Sequence, residues 1–168
     1  MDAFRTARLL LHPLSPDEAE RLVAGVPGAG EEWAPGYPPE GDIRAASAFL
    51  RTCAEEGDPW PFGVYQIRLL GDGRAIGGIG FHGAPDAEGW VTVGYGLVPS
   101  ARGNGFASEA LRALLRFARE HGVSGVHGDT EPGNLPSQRV MTAAGMSPQP
   151  VGREPDGLLH YAVAWPVS

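Results

Sequence analysis

The chain has 168 residues and a net charge of −7, with 13 basic against 20 acidic side chains. That length suits one domain, residues 1–168, with a sizeable core, and the absence of lysine excludes Schiff-base chemistry and the P-loop NTPase lysine. An acidic balance without a cationic block argues against nucleic-acid or anionic-membrane partners recognised by bulk charge, leaving local basic patches open. Leu, Ile, Val and Phe lie just above the level below which charged chains stay unfolded, so the 25 glycines and 16 prolines read as turns and long loops. No apolar stretch approaches the ~20 residues that span a bilayer, and Met1-Asp2 does not open a leader, so a soluble, unsecreted, cytoplasmic protein is expected. The lone Cys53 fits a reducing compartment, and among Phe49, Leu50 and Ala54 it reads as a buried inert thiol.

Phe4 to His12 reads as a first strand ended by Pro13. Ser15 caps a helix, with Pro16 in its first turn, Glu18 completing a capping box and an end near Ala24. Gly25 to Gly41 is too rich in Gly and Pro for regular structure, yet carries Trp33 and Tyr37. Asp42 caps a second helix to about Glu56. Phe62–Leu70 and Arg74–Phe81 form a hairpin about Gly71-Asp72-Gly73, and Trp90–Val98 is a fourth strand. In it Val91, Val93, Tyr95 and Leu97 share one face, and Thr92, Gly94 and Gly96 leave the other almost bare. Gly105 to His121 shows the apolar stripe of an amphipathic helix. Val123–Thr130 is a fifth strand, Leu135–Ala144 a helix capped by Asn134, and Met146–Arg153 with Leu158–Val167 a closing hairpin. The order is βαα, βββ, αβ, αββ.

A strand end, a glycine turn and a helix start follow one another from Leu97 to Ala107. Free N–H groups and the dipole of a helix start favour an anion, Gly103 and Gly105 leave room for a phosphate, and Arg102 adds charge. An ordinary turn needing two glycines explains the same residues.

Arg102-Gly103-Asn104-Gly105-Phe106-Ala107 resembles the R/Q-x-x-G-x-G/A acyl-CoA pyrophosphate loop of the GNAT N-acetyltransferase superfamily. Thr6-Ala7-Arg8-Leu9-Leu10-Leu11, Gly77-Gly78-Ile79-Gly80-Phe81-His82, Gly94-Tyr95-Gly96-Leu97, Asn134 to Met141 and Gly145-Met146 resemble the branch that includes ribosomal-protein N-terminal (alanine/serine) acetyltransferases. The resemblance spans about Thr6 to Trp165. It implies an α+β fold with a mixed, mostly antiparallel seven-stranded sheet, splayed parallel fourth and fifth strands, and about four flanking helices. Pantetheine would pair with the fourth strand, accounting for the bare Gly94 and Gly96 face. Backbone groups of Leu97 and Val98 would bind its amides, N–H groups from Arg102 through Gly103, Asn104, Gly105 and Phe106 to Ala107 the pyrophosphate, and a Leu97 N–H the developing oxyanion.

Many relatives place the thiolate-protonating Tyr at the position of Met141, which cannot donate a proton. One turn earlier stands Ser137, the donor implied by N-x-x-S relatives, although a helix-capping serine explains it equally. Asn134 reads as a cap that also bonds pantetheine or a water. Relatives often carry a catalytic Glu where this chain has Thr92, so a water chain ending at His82, or at Asp129 or Glu131, is expected instead. His82 also reads as a structural strand-end residue, and Asp129 and Glu131 as solvated or acceptor-contacting. His127 and Asp129 make too small a set for a metal, and none is expected.

Trp33, Tyr37 and Trp60 are candidate walls of the acceptor pocket, with core packing favoured for Trp60 and Trp165. Glu31, Glu32 and Glu40 suit an approaching cationic amine or a solvated surface alike. The reading is transfer of acetyl from acetyl-CoA to a primary amine (a protein N-terminus, an amino acid or a small metabolite) by direct attack. The family commonly dimerises. Met141 and Thr92 also suit a non-catalytic acyl-CoA-binding module, whereas Arg-Gly-Asn-Gly-Phe-Ala lacks the three-glycine spacing of a dinucleotide fold.

Overall fold

Thr6 divides the run expected as one opening strand. Its N–H donates to Leu9 O (2.9 Å) and its hydroxyl accepts from the Leu9 N–H (3.0 Å), so the chain reverses and β1 (Phe4–Arg5) pairs antiparallel with β2 (Leu9–Pro13). The structure, a computed structural model, describes residues 3–150 and 157–166. The capping box of Ser15 and Glu18 starts α1 (Pro16–Ala24), which Gly25 ends in a left-handed conformation. α2 (Glu40–Glu56) is capped by Pro39, three residues earlier than expected; Asp42 therefore lies inside its first turn, buried, and is not its cap.

The Gly71–Gly73 turn joins β3 (Val64–Leu69) to β4 (Ala75–Phe81), and β5 (Trp90–Leu97) follows. A 3-10 turn at Pro99–Ala101 leads to α3 (Phe106–Glu120), then β6 (Gly125–Thr130) and α4 (Leu135–Ala143), where Asn134 accepts from the Ser137 N–H (3.1 Å). The closing hairpin is β7 (Ser147–Pro148) against β8 (Leu159–Ala164); Arg153 and Val167, its expected limits, lie outside the described residues. Among the described residues the sheet has eight strands in the order β1-β2-β3-β4-β5-β6-β8-β7. It has one strand more than expected because Thr6 splits the first. Among these strands only β5 and β6 pair in parallel; Trp33 adds a single parallel bridge to Ala75.

Cross-strand partners share a face, which divides the sheet cleanly. Tyr65, Ile79 and Tyr95 are opposite one another, as are Gln66, Gly78 and Gly96. The first set lies on the face of α3, whose Phe117 packs on Tyr65 and Phe81 at 6.1 and 6.3 Å and whose Leu111, Leu114 and Ala118 are fully buried. The second set lies beneath α2, where β4 and β5 present Gly78, Gly80, Gly94 and Gly96 in place of side chains. Trp60 is 44% exposed rather than in the core, because its loop turns on the bond from its N–H to Asp58 Oδ1 (2.9 Å) and leaves the indole outside. Trp165 packs against the core, as expected, and Cys53 is half-buried, its thiol pKa pushed up by burial. No helix among the described residues is long and apolar enough to cross a membrane.

Candidate active site

The backbone of β5 has one free edge. The N–H of Val98 donates to Ile76 O and that of His82 to Thr92 O (both 2.8 Å), so the even-numbered residues of β5 bond to β4. By the alternation of an antiparallel ladder, the N–H and C=O groups of Tyr95 and Leu97 point the other way. There β6 pairs only from Trp90↔Gly125 to Val93↔Gly128, then continues alone against β8. Tyr95 and Leu97 thus face the opening between diverging strands, the splay expected from the sequence. Val98 differs from Leu97, since its N–H is used by Ile76 and its carbonyl by the Ala101 N–H (3.0 Å). Arg102 Nε donates to Leu97 O (3.2 Å), tying this arginine to the same edge.

Beyond that edge the chain curls through Gly103 and Gly105, both left-handed (φ 82° and 78°), and Gly105 caps α3 without a side chain. A Cβ at Gly103 would meet nothing within 4 Å. The Arg102 N–H, expected to join the ring, instead donates to Pro99 O (3.2 Å) because it closes the 3-10 turn; among the described residues the N–H groups from Gly103 to Ser108 have no acceptor within the chain, which leaves a ring of donors at a helix start. Asn104 holds the curl in shape, its Nδ2 donating to Ala101 O and Arg102 O (both 3.3 Å). Arg8 braces it from outside: Nη1 donates to Asn104 O (2.9 Å), the guanidinium covers the Phe106 ring at 4.4 Å, and Nε bonds Glu109 (2.8 Å). Burial would raise the pKa of Glu109, but bonds from Thr6 and Arg8 outweigh it and hold the carboxyl below its ordinary range. The role of Arg8 was not apparent from the sequence, since its partners are about a hundred residues away. These residues fit an acyl-CoA: an anion cradle, a strand edge and room between them.

On the α3 face, the Tyr95 hydroxyl donates to Ser137 O (3.0 Å) and lies 2.8 Å from the Ser137 hydroxyl. Burial raises the Tyr95 pKa despite the bond with Ser137, keeping the phenol protonated. Asn134 caps α4 and, through the Ser137 N–H, orients Ser137. Met141, where the resemblance implied a Tyr in relatives, is 1% exposed and packs on Gly128, so it is a core residue. The sequence placed Tyr95 on a packed face and concealed this pair.

Beneath α2 lies a cavity of about 360 Å³ floored by Gly78, Gly80, Gly94 and Gly96. The bare face of β5 therefore opens onto this cavity; it is the strand edge, not the glycine face, that meets the cleft. Asp42 enters it from α2: its Oδ2 is buried with no hydrogen-bond partner, and a Cβ at Gly78 would lie 2.7 Å from that atom. Burial pushes the Asp42 carboxyl up to about 7. Tyr37 lines the same wall and accepts from Gln66 Nε2 (3.0 Å), and burial raises its phenol pKa. Trp33 does not line the cavity; it packs edge-on against Tyr37 at 5.0 Å and donates to Glu31 (3.2 Å). His82 is exposed at the rim, beside Gly94. Asp129 lies outside the cavity, bonded to His160 at the end of β6, and Glu131 is exposed beyond it. Glu31 pairs with Arg21 (3.6 Å) and Glu40 with Arg44 (3.2 Å). Asp42 escaped the sequence reading because an acid at a helix start has the signature of a cap.

A parallel pair that parts over an N–H-lined loop, with hydroxyls and a carboxyl on either side, defines an acyltransferase. The chain belongs to the GNAT acetyltransferase domain family, whose model matches residues 8–147. An acetyltransferase from Agrobacterium tumefaciens str. C58 is similar with a TM-score of 0.70 at 24% identity, over 98% of this chain and 95% of that one. The ribosomal-protein-S5-alanine acetyltransferase of Vibrio fischeri gives 0.67 at 12% identity (98% and 97%). Mycobacterium smegmatis RimJ, solved in complex with CoA-disulfide, gives 0.63 at 22% (93% and 81%). No curated protein sequence matches the chain.

Proposed function

We propose that the chain is one catalytic domain that moves an acetyl group from acetyl-CoA to a primary amine: a protein N-terminus, an amino acid or a small metabolite. The observation that carries this is the open edge of Tyr95 and Leu97 leading into the N–H groups of Gly103 to Ser108. Those N–H groups and Arg102 hold the pyrophosphate, and the free edge of β5 pairs with the pantetheine amides. The Leu97 N–H stabilises negative charge developing on the acetyl oxygen. Ser137, backed by the protonated Tyr95 phenol 2.8 Å away, donates to the departing sulfur. His82, at the cavity rim, passes protons to solvent. Because the amine attacks directly, the chain's main work is positioning. Tyr95 and Ser137 supply the donor that Met141 cannot, which removes the main argument for a non-catalytic module.

The test is calorimetric titration of acetyl-CoA into the purified protein, with CoA and ATP as controls. Micromolar acetyl-CoA binding with little response to ATP is expected. No binding of either CoA species would reduce the loop to a turn and overturn the reading.

A further inference from the structure

We propose that Asp42 binds the ammonium group of the acceptor and takes its proton, and that the cavity between α2 and the glycine floor is where the acceptor sits. This rests on the acyl-transfer reading above. Three observations lead to it. First, an aspartate without a partner is a poor structural element: Asp42 is 9% exposed, and Oδ2 accepts no hydrogen bond, although the cost of an unpaired buried carboxylate is severe. A ligand donor removes that cost.

Second, the space over the carboxyl is kept open. A Cβ at Gly78 would approach Oδ2 to 2.7 Å and one at Gly96 would stand 3.5 Å from Oδ1, so side chains here would crowd or cover the acid. Gly96 also immediately precedes Leu97, whose N–H faces the cleft. The carboxyl therefore lies over the strand at the point where that strand would hold the acetyl oxygen, but on the opposite face from Tyr95 and Ser137. A base on one face and a proton donor on the other suit an amine arriving as a thiolate leaves.

Third, among the described residues Asp42 is the one acid lining the cavity, and no cation is bonded to it. The other titratable side chains that face the cavity are Tyr37 from the loop before α2, His82 from the end of β4, and Arg102; Tyr65 and Tyr95 border it, but their phenols lie on the α3 face. Arg102 keeps its charge but is held by its Nε at Leu97 O, on the side where it would meet the pyrophosphate, and burial keeps the Tyr37 phenol neutral. The remaining wall is apolar, with Leu14, Leu22 and Ala46 among its residues. An adjoining cavity of about 420 Å³ shares Gly41, Ala45, Val64 and His82 with the first and extends past Phe49 and Phe62, with Arg44, paired to Glu40, on its wall. The acceptor class that matches is a primary ammonium with an apolar flank that carries no second cation.

Asp42 takes one proton from the ammonium, freeing the lone pair that forms the N–C bond to the acetyl carbon. The C–S bond breaks with its electron pair on sulfur, which takes a proton from Ser137. A second proton leaves the nitrogen and restores the Tyr95–Ser137 pair, and the proton on Asp42 leaves past His82. The charge of Asp42 must be present at the start and the acceptor must arrive as ammonium, so kcat/KM for the amine rises with pH through an inflection near 7 and falls again above the acceptor's own ammonium pKa, about 8 for a peptide N-terminus.

The experiment compares wild type with Asp42→Asn and Ala45→Leu, using phenethylamine and Ala- and Ser-initiated hexapeptides as probes. Amine binding to the dead-end CoA complex is measured by calorimetry and acetyl transfer by thiol release from pH 5.5 to 9. We expect at least one probe to bind and react. Asp42→Asn should lower its kcat/KM about 10²-fold or more, remove the inflection near 7 and weaken ammonium binding. Ala45→Leu should raise the amine KM by filling the cavity, and both variants should bind acetyl-CoA within about twofold of wild type. The proposal is overturned if Asp42→Asn keeps the wild-type kcat/KM and pH profile. It is equally overturned if wild type binds acetyl-CoA but neither binds nor acetylates any probe. Wild type failing to bind acetyl-CoA would instead sink the parent reading, and this one with it.

Discussion

Burying the Asp42 carboxyl beside a glycine floor makes the folded chain hold a proton that the unfolded chain releases near 3.8. The stability contributed by that proton is complete below about pH 4 and is lost as pH rises towards 7, after which the fold carries an unpaired buried charge. Asp42→Asn removes the titration. Relative to wild type it should therefore gain stability between pH 4 and 8, up to about 4 kcal/mol by the size of the shift. Thermal melts at the two pH values check this, and a constant difference in Tm would contradict it. The Tyr95–Ser137 pair predicts coupled losses. Ser137→Ala and Tyr95→Phe should each lower kcat, Ser137→Ala by about 10²-fold, and the double variant should be little worse than Ser137→Ala alone. Ser137 was open to the sequence through its helix position, but Tyr95 was not. Alternation assigns a side chain to a face without saying what stands opposite it, and only the fold brings α4 over β5.

Among elements, those with strong local rules matched their sequence signals. The stripe of α3, the Ser15–Glu18 capping box and the Gly71–Gly73 turn each satisfy their own backbone, so neighbours had little to alter. The first strand and the start of α2 were misread where a distant contact or a proline overrides local pattern. Thr6 turns the chain while its hydroxyl bonds Glu109, and Pro39 sets a helix start ahead of the residue that resembles a cap. The phosphate curl belongs to this scale too. Gly105→Val would force a β-branched residue to φ 78° and place a Cβ 3.4 Å from Arg8 Nη2. Acetyl-CoA affinity should fall at least about tenfold, with the circular dichroism spectrum unchanged; intact affinity would mean that the curl does not hold the pyrophosphate.

Over the whole molecule, the sheet separates two approaches. The free edge of β5 opens towards β6, whereas the acid-bearing cavity opens beneath α2, so under the proposed function the two substrates would enter without crossing. The glycines that the sequence marked as a bare face were correctly seen as space, but their direction depended on which helix lies over them. The cradle is also latched by the opposite end of the chain, since the Arg8 N–H and the Glu109 carboxylate that receives it stand 101 residues apart. Ligand occupancy and the docking of the first hairpin are therefore thermodynamically linked: whatever tightens the curl around an anion also holds Arg8 and Leu9 in place. Amide exchange at these two residues should slow when CoA is added, which makes the start of the chain a reporter of events at its centre.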